Sequence, residues 1–127
     1  MPTGFHHITL RITDLERSRA CYEGVLGFEV DQDFPGEKLS FRLGGTTTWL
    51  VLHPPLPGTP PDDRFSERRI GLDHLAIAIS DRAELDRLAQ ALRAAGVAAD
   101  LHHDPVGPAV ISFRDPDSIQ WELFEQR

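Results

Sequence analysis

The chain repeats its own pattern, and that repeat limits the folds open to it more than any other feature. Residues 5–12 alternate apolar and polar side chains and are rich in β-branched residues, which predicts a strand. Thr13-Asp14-Leu15-Glu16 then reads as a capping box that opens a helix. Leu15, Ser18, Ala20, Tyr22, Val25 and Leu26 form its inner stripe, and Gly27 stops it. Strands are expected over 28–32, 38–43 and 47–53, punctuated by Gly36 and Gly44-Gly45. The second half follows the same order. A strand is predicted over 72–79, and Asp81-Arg82-Ala83-Glu84 starts a helix lined by Leu85, Leu88, Ala89 and Leu92. Gly96 ends it, and strands follow over 97–102, 109–114 and 119–125. His7 to His74, Gly27 to Gly96 and Trp49 to Trp121 are 67, 69 and 72 positions apart, a nearly constant offset. The expected fold class is α+β: two βαβββ units whose curved mixed sheets make half-barrels. One domain over 1–127 is expected, with units at 5–53 and 72–125 joined by a connector over 54–71 that is semi-rigid because five prolines crowd its start.

Composition narrows the function classes. A chain of 127 residues can bury one sizeable core without disulfides. No apolar run approaches the ~20 residues that span a bilayer, and the first residues carry no basic segment followed by an apolar one, so no membrane span or signal peptide is expected. Twenty acidic against thirteen basic residues leave a net charge of −7, which repels nucleic acid and anionic membranes. The single cysteine, Cys21, has no internal partner; it is assigned to helix packing, and a reducing, cytoplasmic setting is expected.

Strand parity then sorts side chains to faces. In the first strand Ile8, Leu10 and Ile12 oppose His7, Thr9 and Arg11; in the fifth Leu75, Ile77 and Ile79 oppose His74, Ala76 and Ala78; in the last Ile119, Trp121 and Leu123 oppose Gln120, Glu122 and Phe124. The aliphatic face must pack beneath a helix. The other face carries His7, His74 and Glu122, two imidazoles and a carboxylate contributed by three strands. Such a set suits iron(II) with open positions, and would also accept manganese, zinc, nickel or cobalt. A lone histidine on a strand is ordinarily satisfied by hydrogen bonds, but three donors of shared parity at repeat positions point to a metal. His6 falls on the aliphatic parity and is discounted. Thr9, Arg11, Leu50, Leu52, Phe113 and Phe124 are expected to line a substrate pocket, with Arg11 or Arg114 as a charge contact.

His7 to Ser18, Tyr22-Glu23-Gly24-Val25-Leu26-Gly27-Phe28, Leu72 to Ile77, Phe113-Arg114-Asp115-Pro116-Asp117 and Trp121-Glu122-Leu123-Phe124 together resemble the vicinal oxygen chelate superfamily, the glyoxalase/bleomycin-resistance/dioxygenase group, over nearly the whole chain. The resemblance implies metal ligands at His7, His74 and Glu122. A fourth ligand position, Glu in glyoxalase-I-like members, falls by the repeat on Leu50, which argues against that site. Ser118 stands where members usually have Gly. Extradiol dioxygenases add an acid/base histidine near the metal, and position favours His103 over His53 and His102.

The resemblance therefore implies an iron(II) extradiol-type dioxygenase acting on a small catechol-like substrate. One alternative keeps the metal and changes the reaction, to a glyoxalase-like isomerase or lyase or a thiol transferase. Another is a non-catalytic drug- or metabolite-binding protein of the bleomycin-resistance type. A homodimer is expected, with metal sites closed within one chain or shared between two.

Overall fold

The structure, a computed structural model, describes residues 1–45, 47–103 and 105–126. Two compact units, Met1–Asp63 and Arg64–Arg127, divide inside the proline-rich segment. In the first, β1 (His7–Arg11) leads into α1 (Leu15–Arg19), which continues as a π-helical turn over Ala20–Val25; β2 (Glu29–Phe34), β3 (Lys38–Arg42) and β4 (Trp49–His53) follow. In the second, β5 (Leu75–Ile79), α2 (Arg82–Ala94), β6 (Asp100–His103), β7 (Ala109–Arg114) and β8 (Gln120–Glu125) repeat the order. Each unit has one four-stranded mixed sheet, ordered β1-β4-β3-β2 and β5-β8-β7-β6. The first strand of each unit pairs in parallel with the last, and the other pairs are antiparallel. This is the α+β class that the repeat implies. Among the described residues no helix is long and apolar enough to cross a membrane.

Local chemistry sets the element ends. Asp14, rather than Thr13, caps α1: its carboxylate accepts the Glu16 and Arg17 N–H groups at 2.9 and 3.1 Å. Asp81 caps α2 through the Glu84 N–H at 2.9 Å. The first helix departs from a regular α-helix. After Arg19 it widens, with Leu26 N–H donating to Cys21 O at 3.0 Å, five residues back. Tyr22 sits on this turn fully buried, its ring 6.0 Å from those of Phe28 and Phe41. The strand expected over 97–102 begins only at Asp100. The Ala99 carbonyl is held by the Arg93 guanidinium at 3.0 and 3.2 Å, and Val97 N–H closes the end of α2 on Leu92 O, so these groups are withdrawn from a ladder.

Each sheet buries one face. In the first unit Leu39 pairs with Leu52 and Phe41 with Leu50, all buried together with Tyr22 and Leu26. In the second, Leu85, Leu88 and Leu92 of α2 are buried with Ile111, Phe113, Trp121 and Leu123, and the Phe113 and Trp121 rings stack at 6.5 Å. Each such side chain contributes about 1.5–3 kcal/mol on burial. The opposite faces are freed for polar groups.

The β7–β8 turn is held by Asp115, whose Oδ1 accepts the N–H groups of Asp117 and Ile119 at 2.9 and 2.8 Å. Ser118 occupies this turn with φ of 67°, the one non-glycine residue in the left-handed region among the described residues. A side chain there costs about 1–2 kcal/mol, and glycine recovers part of it against its larger unfolded-state entropy. Ser118→Gly is therefore expected to stabilise the protein by about 0.5 kcal/mol. The check is a higher urea midpoint at unchanged slope; a lower midpoint contradicts it.

Candidate functional site

In the second unit, the parallel register of β5 and β8 brings His74 and Glu122 together on the open face. His74 Nε2 lies 2.7 Å from Glu122 Oε1, and His74 Nδ1 lies 2.8 Å from Asp73 Oδ1. A carboxylate only accepts, so Nδ1 carries a hydrogen and donates it to Asp73. In the neutral imidazole Nε2 then presents a lone pair toward a second acceptor, Glu122 Oε1. Two acceptors at that separation need a cation between them, and a proton or a divalent metal ion meets the need. The hydrogen bond to Asp73 raises the His74 pKa above its usual value; partial burial opposes this, and the charges of Glu122 and Asp73 add to it. Ala76 and Ala78 leave room beside the pair: Ala76 lies next to Glu122, and Ala78 next to Phe124.

In the first unit, the open face bears His7, Thr9 and Arg11 beside Trp49, Val51 and His53. It walls a cavity of about 390 Å³ lined by His6, His7, Thr9, Asp31, Gln32, Lys38, Ser40, Trp49, Val51 and His53. His7 is held as His74 is, by the residue just before it: His6 Nδ1 and His7 Nδ1 are 2.9 Å apart. With His7 as donor, its Nε2 keeps a free lone pair. His6 therefore belongs to the site although its parity discounted it. It precedes the ladder, where strand alternation does not apply, and its ring rests 5.2 Å from that of Trp49. His53 Nδ1 lies 3.1 Å from the Glu37 carbonyl, which only accepts, so Nδ1 carries the hydrogen and Nε2 is the basic atom.

Several expected site residues lie elsewhere. Leu50 and Leu52 are fully buried on the face beneath the first helix, and Phe113 is buried against Trp121, so all three pack the cores and do not line an open face. Phe124 shares the face of Glu122. His103 pairs with Ala109 and so falls on the face opposite Glu122, whereas His102, paired with Val110 beside Phe124, falls on the Glu122 face. The register partner of Thr9 is Val51, as that of Ala76 is Glu122. The internal counterpart of Glu122 is thus Val51, not Leu50, and it too has no donor atom. Arg11 donates to Pro54 O at 2.9 Å. Arg114 is committed to Glu67 at 2.7 and 3.0 Å and to Ser118 O at 2.9 Å. Cys21 is buried on the helical layer, as its packing role requires. Among the described residues no group of three or more His, Cys, Asp or Glu side chains is gathered to hold a metal ion; the His74–Glu122 pair supplies two of the three expected donors. Lys38 and Gln32 escaped the sequence reading because the faces of β2 and β3 were unassigned, and His53 was weighed there but ranked below His103. The alternation of His53 with Val51 was the available signal.

A family model for the Glyoxalase/Bleomycin resistance protein/Dioxygenase superfamily matches residues 4–123. An uncharacterized protein of Bacillus subtilis, YwkD, is 33% identical, with 95% of each chain covered. Catechol-2,3-dioxygenase of the same organism is 28% identical over 84% of this chain, which spans only 39% of that relative's length. Among solved structures, a glyoxylase/bleomycin resistance protein/dioxygenase domain from Frankia sp. EAN1pec is similar at a TM-score of 0.84, with 28% identity over 100% of this chain and 94% of the other.

The Arg114 pair makes a pH-dependent contribution. The Arg114 hydrogen bonds hold the Glu67 carboxyl down at about 2, against 4.5 ordinarily. A carboxyl depressed on folding stabilises above its unfolded value, and that gain is lost as pH falls toward the folded one. Glu67→Gln is therefore expected to be less stable than the parent at neutral pH, with the gap closing between pH 4.5 and about 2. Denaturant midpoints across that range read it; a gap that widens on acidification contradicts it.

Proposed function

The chain belongs to the Glyoxalase/Bleomycin resistance protein/Dioxygenase superfamily, and from that premise we propose that it is a metal-dependent enzyme in which His7, His74 and Glu122 hold one divalent ion, iron(II) by preference. The reaction we assign is extradiol-type cleavage of a small catechol-like substrate. The observation that carries the metal reading is the 2.7 Å contact of His74 Nε2 with Glu122 Oε1, its ring fixed from behind by Asp73. That is the outer-shell carboxylate found behind metal-bound imidazoles. A catechol reading draws on the curated dioxygenase relative and on Val51, which leaves the ion short of a fourth protein donor.

The bound ion would supply Lewis acidity toward two adjacent substrate oxygens and an open position for dioxygen. The chain's own groups do the rest. Asp73 fixes which nitrogen of the His74 imidazole carries hydrogen, and His6 holds the orientation of the His7 ring. Trp49 and Val51 give the first unit's cavity an apolar wall for a ring. His53, four residues along the ladder from the His7–Trp49 pair, lies at the far end of that cavity and can accept a proton only from a group that reaches there, not from a hydroxyl held at His7.

Metal analysis of anaerobically purified protein should find about one ion per chain, and oxygen uptake with catechols should depend on it. His74→Ala is expected to lose both, and Asp73→Asn to weaken metal affinity by about 10–100-fold. Full metal content in His74→Ala refutes the donor set. Protein that takes up no metal on addition favours the non-catalytic binding reading.

We also infer a homodimer. Each sheet ends on strands with one side unpaired, β1 and β2 in one and β5 and β6 in the other, and such edges call for cover. Light scattering is expected to give twice the chain mass of 14.2 kDa; a monomer at micromolar concentration refutes this.

A further inference from the structure

The cavity of the first unit is chemically graded along its strands. At one end Arg42, Trp49 and His7 form a row across β3, β4 and β1. At the other, one step past the Leu39–Leu52 pair, Lys38 lies beside His53, which pairs with Arg11. Four residues separate His7 from Arg11, about 13 Å at ~3.3 Å per residue. Lys38 is the only lysine of the chain. It is half-buried, and its ammonium sits 5.4 Å from the centre of the Phe34 ring. Among the described residues no carboxylate lies within ion-pairing distance of it. The acid that lines the same cavity, Asp31, faces Arg42 at 3.6 Å and so has a cation of its own. Arg11 is turned to the Pro54 carbonyl at 2.9 Å. The far end of the cavity thus offers an ammonium with no carboxylate partner among the described residues, beside the His53 imidazole and an Arg11 guanidinium already turned to a backbone carbonyl.

We propose that this cavity selects small molecules with a carboxylate-bearing arm, Lys38 being the group that reads the carboxylate. The inference rests on the reading above only in placing the ring of the ligand toward His7. A carboxylate takes a charge-assisted hydrogen bond from an ammonium that has no carboxylate of its own, and its uncharged isostere takes only a weaker one. Lys38 thereby separates an acid from its uncharged isostere, and it does so through binding, before any chemistry.

The probes are 3-(3,4-dihydroxyphenyl)propanoate and its amide, titrated into the whole protein. The readout is the pair of indole N–H resonances from Trp49 and Trp121. Trp49 lines the cavity and should move, while Trp121, buried in the second unit, serves as reference. The acid is expected to bind about 10-fold more tightly than the amide, the scale of one charge-assisted hydrogen bond. Lys38→Met should abolish that preference and leave amide binding in place, and Lys38→Arg should restore it. Equal affinity for the two probes, an unmoved Trp49 signal, or a preference that survives in Lys38→Met would overturn the proposal. Loss of amide binding in Lys38→Met would mark a structural role and overturn it as well. Repeating the titration after chelator treatment separates the two readings. A preference retained without metal supports the carboxylate contact whatever the metal does, and a preference that vanishes with the metal overturns it as a property of Lys38.

Discussion

A four-stranded sheet that carries one helix has one face it must bury, and strand alternation then fixes what the other face can hold. In both units the buried face is nearly saturated with apolar side chains. Leu39, Phe41, Leu50 and Leu52 fill it in the first; Ile111, Phe113, Trp121 and Leu123 fill it in the second. A one-residue slip in register would put these groups in water and His7, His74 or Glu122 beneath a helix. Hydrophobic burial thus holds the imidazoles and the carboxylate on the open faces, with no contribution needed from a ligand.

The second layer of control lies in the residue before each histidine. Asp73 takes the Nδ1 hydrogen of His74, and His6 meets Nδ1 of His7. The two arrangements occupy equivalent places in the repeat, yet they differ electrically. Asp73 is an anion and makes the His74 imidazole more basic, hence a better donor to a cation. His6 orients without adding a negative charge. The two imidazoles therefore stand in different electrical surroundings, a difference set one residue upstream of each.

Much of the architecture was legible in the sequence, because alternation and helix stops are local. The order of elements, the glycine terminations and the faces of β1, β5 and β8 follow from side-chain pattern alone. What failed needed register. Trp49 and Trp121 look equivalent in a count of positions, and that count assigned Leu50 as the counterpart of Glu122. The ladders show otherwise: Trp49 lies beside His7 on the open face, while Trp121 lies beside Leu75 on the buried one. Counting from the strand partners gives Val51 instead. His103 failed for the same reason, since a strand of four residues at a sheet edge offers too few positions to fix its own parity. His6 failed in the opposite sense, because alternation was applied to a residue outside the ladder.

The Val51 assignment also bears on which chemistry a site of this kind performs. A carboxylate at that register position would give a cation a fourth anchor and more negative charge, suited to holding it through a proton transfer. A valine gives neither. On the proposed reading it would leave a cation with fewer protein ligands, and it sets an apolar side chain beside Thr9 on the open face. The choice between these outcomes lies in one side chain on β4, and the buried Leu50 and Leu52 on either side of it keep that side chain facing outward.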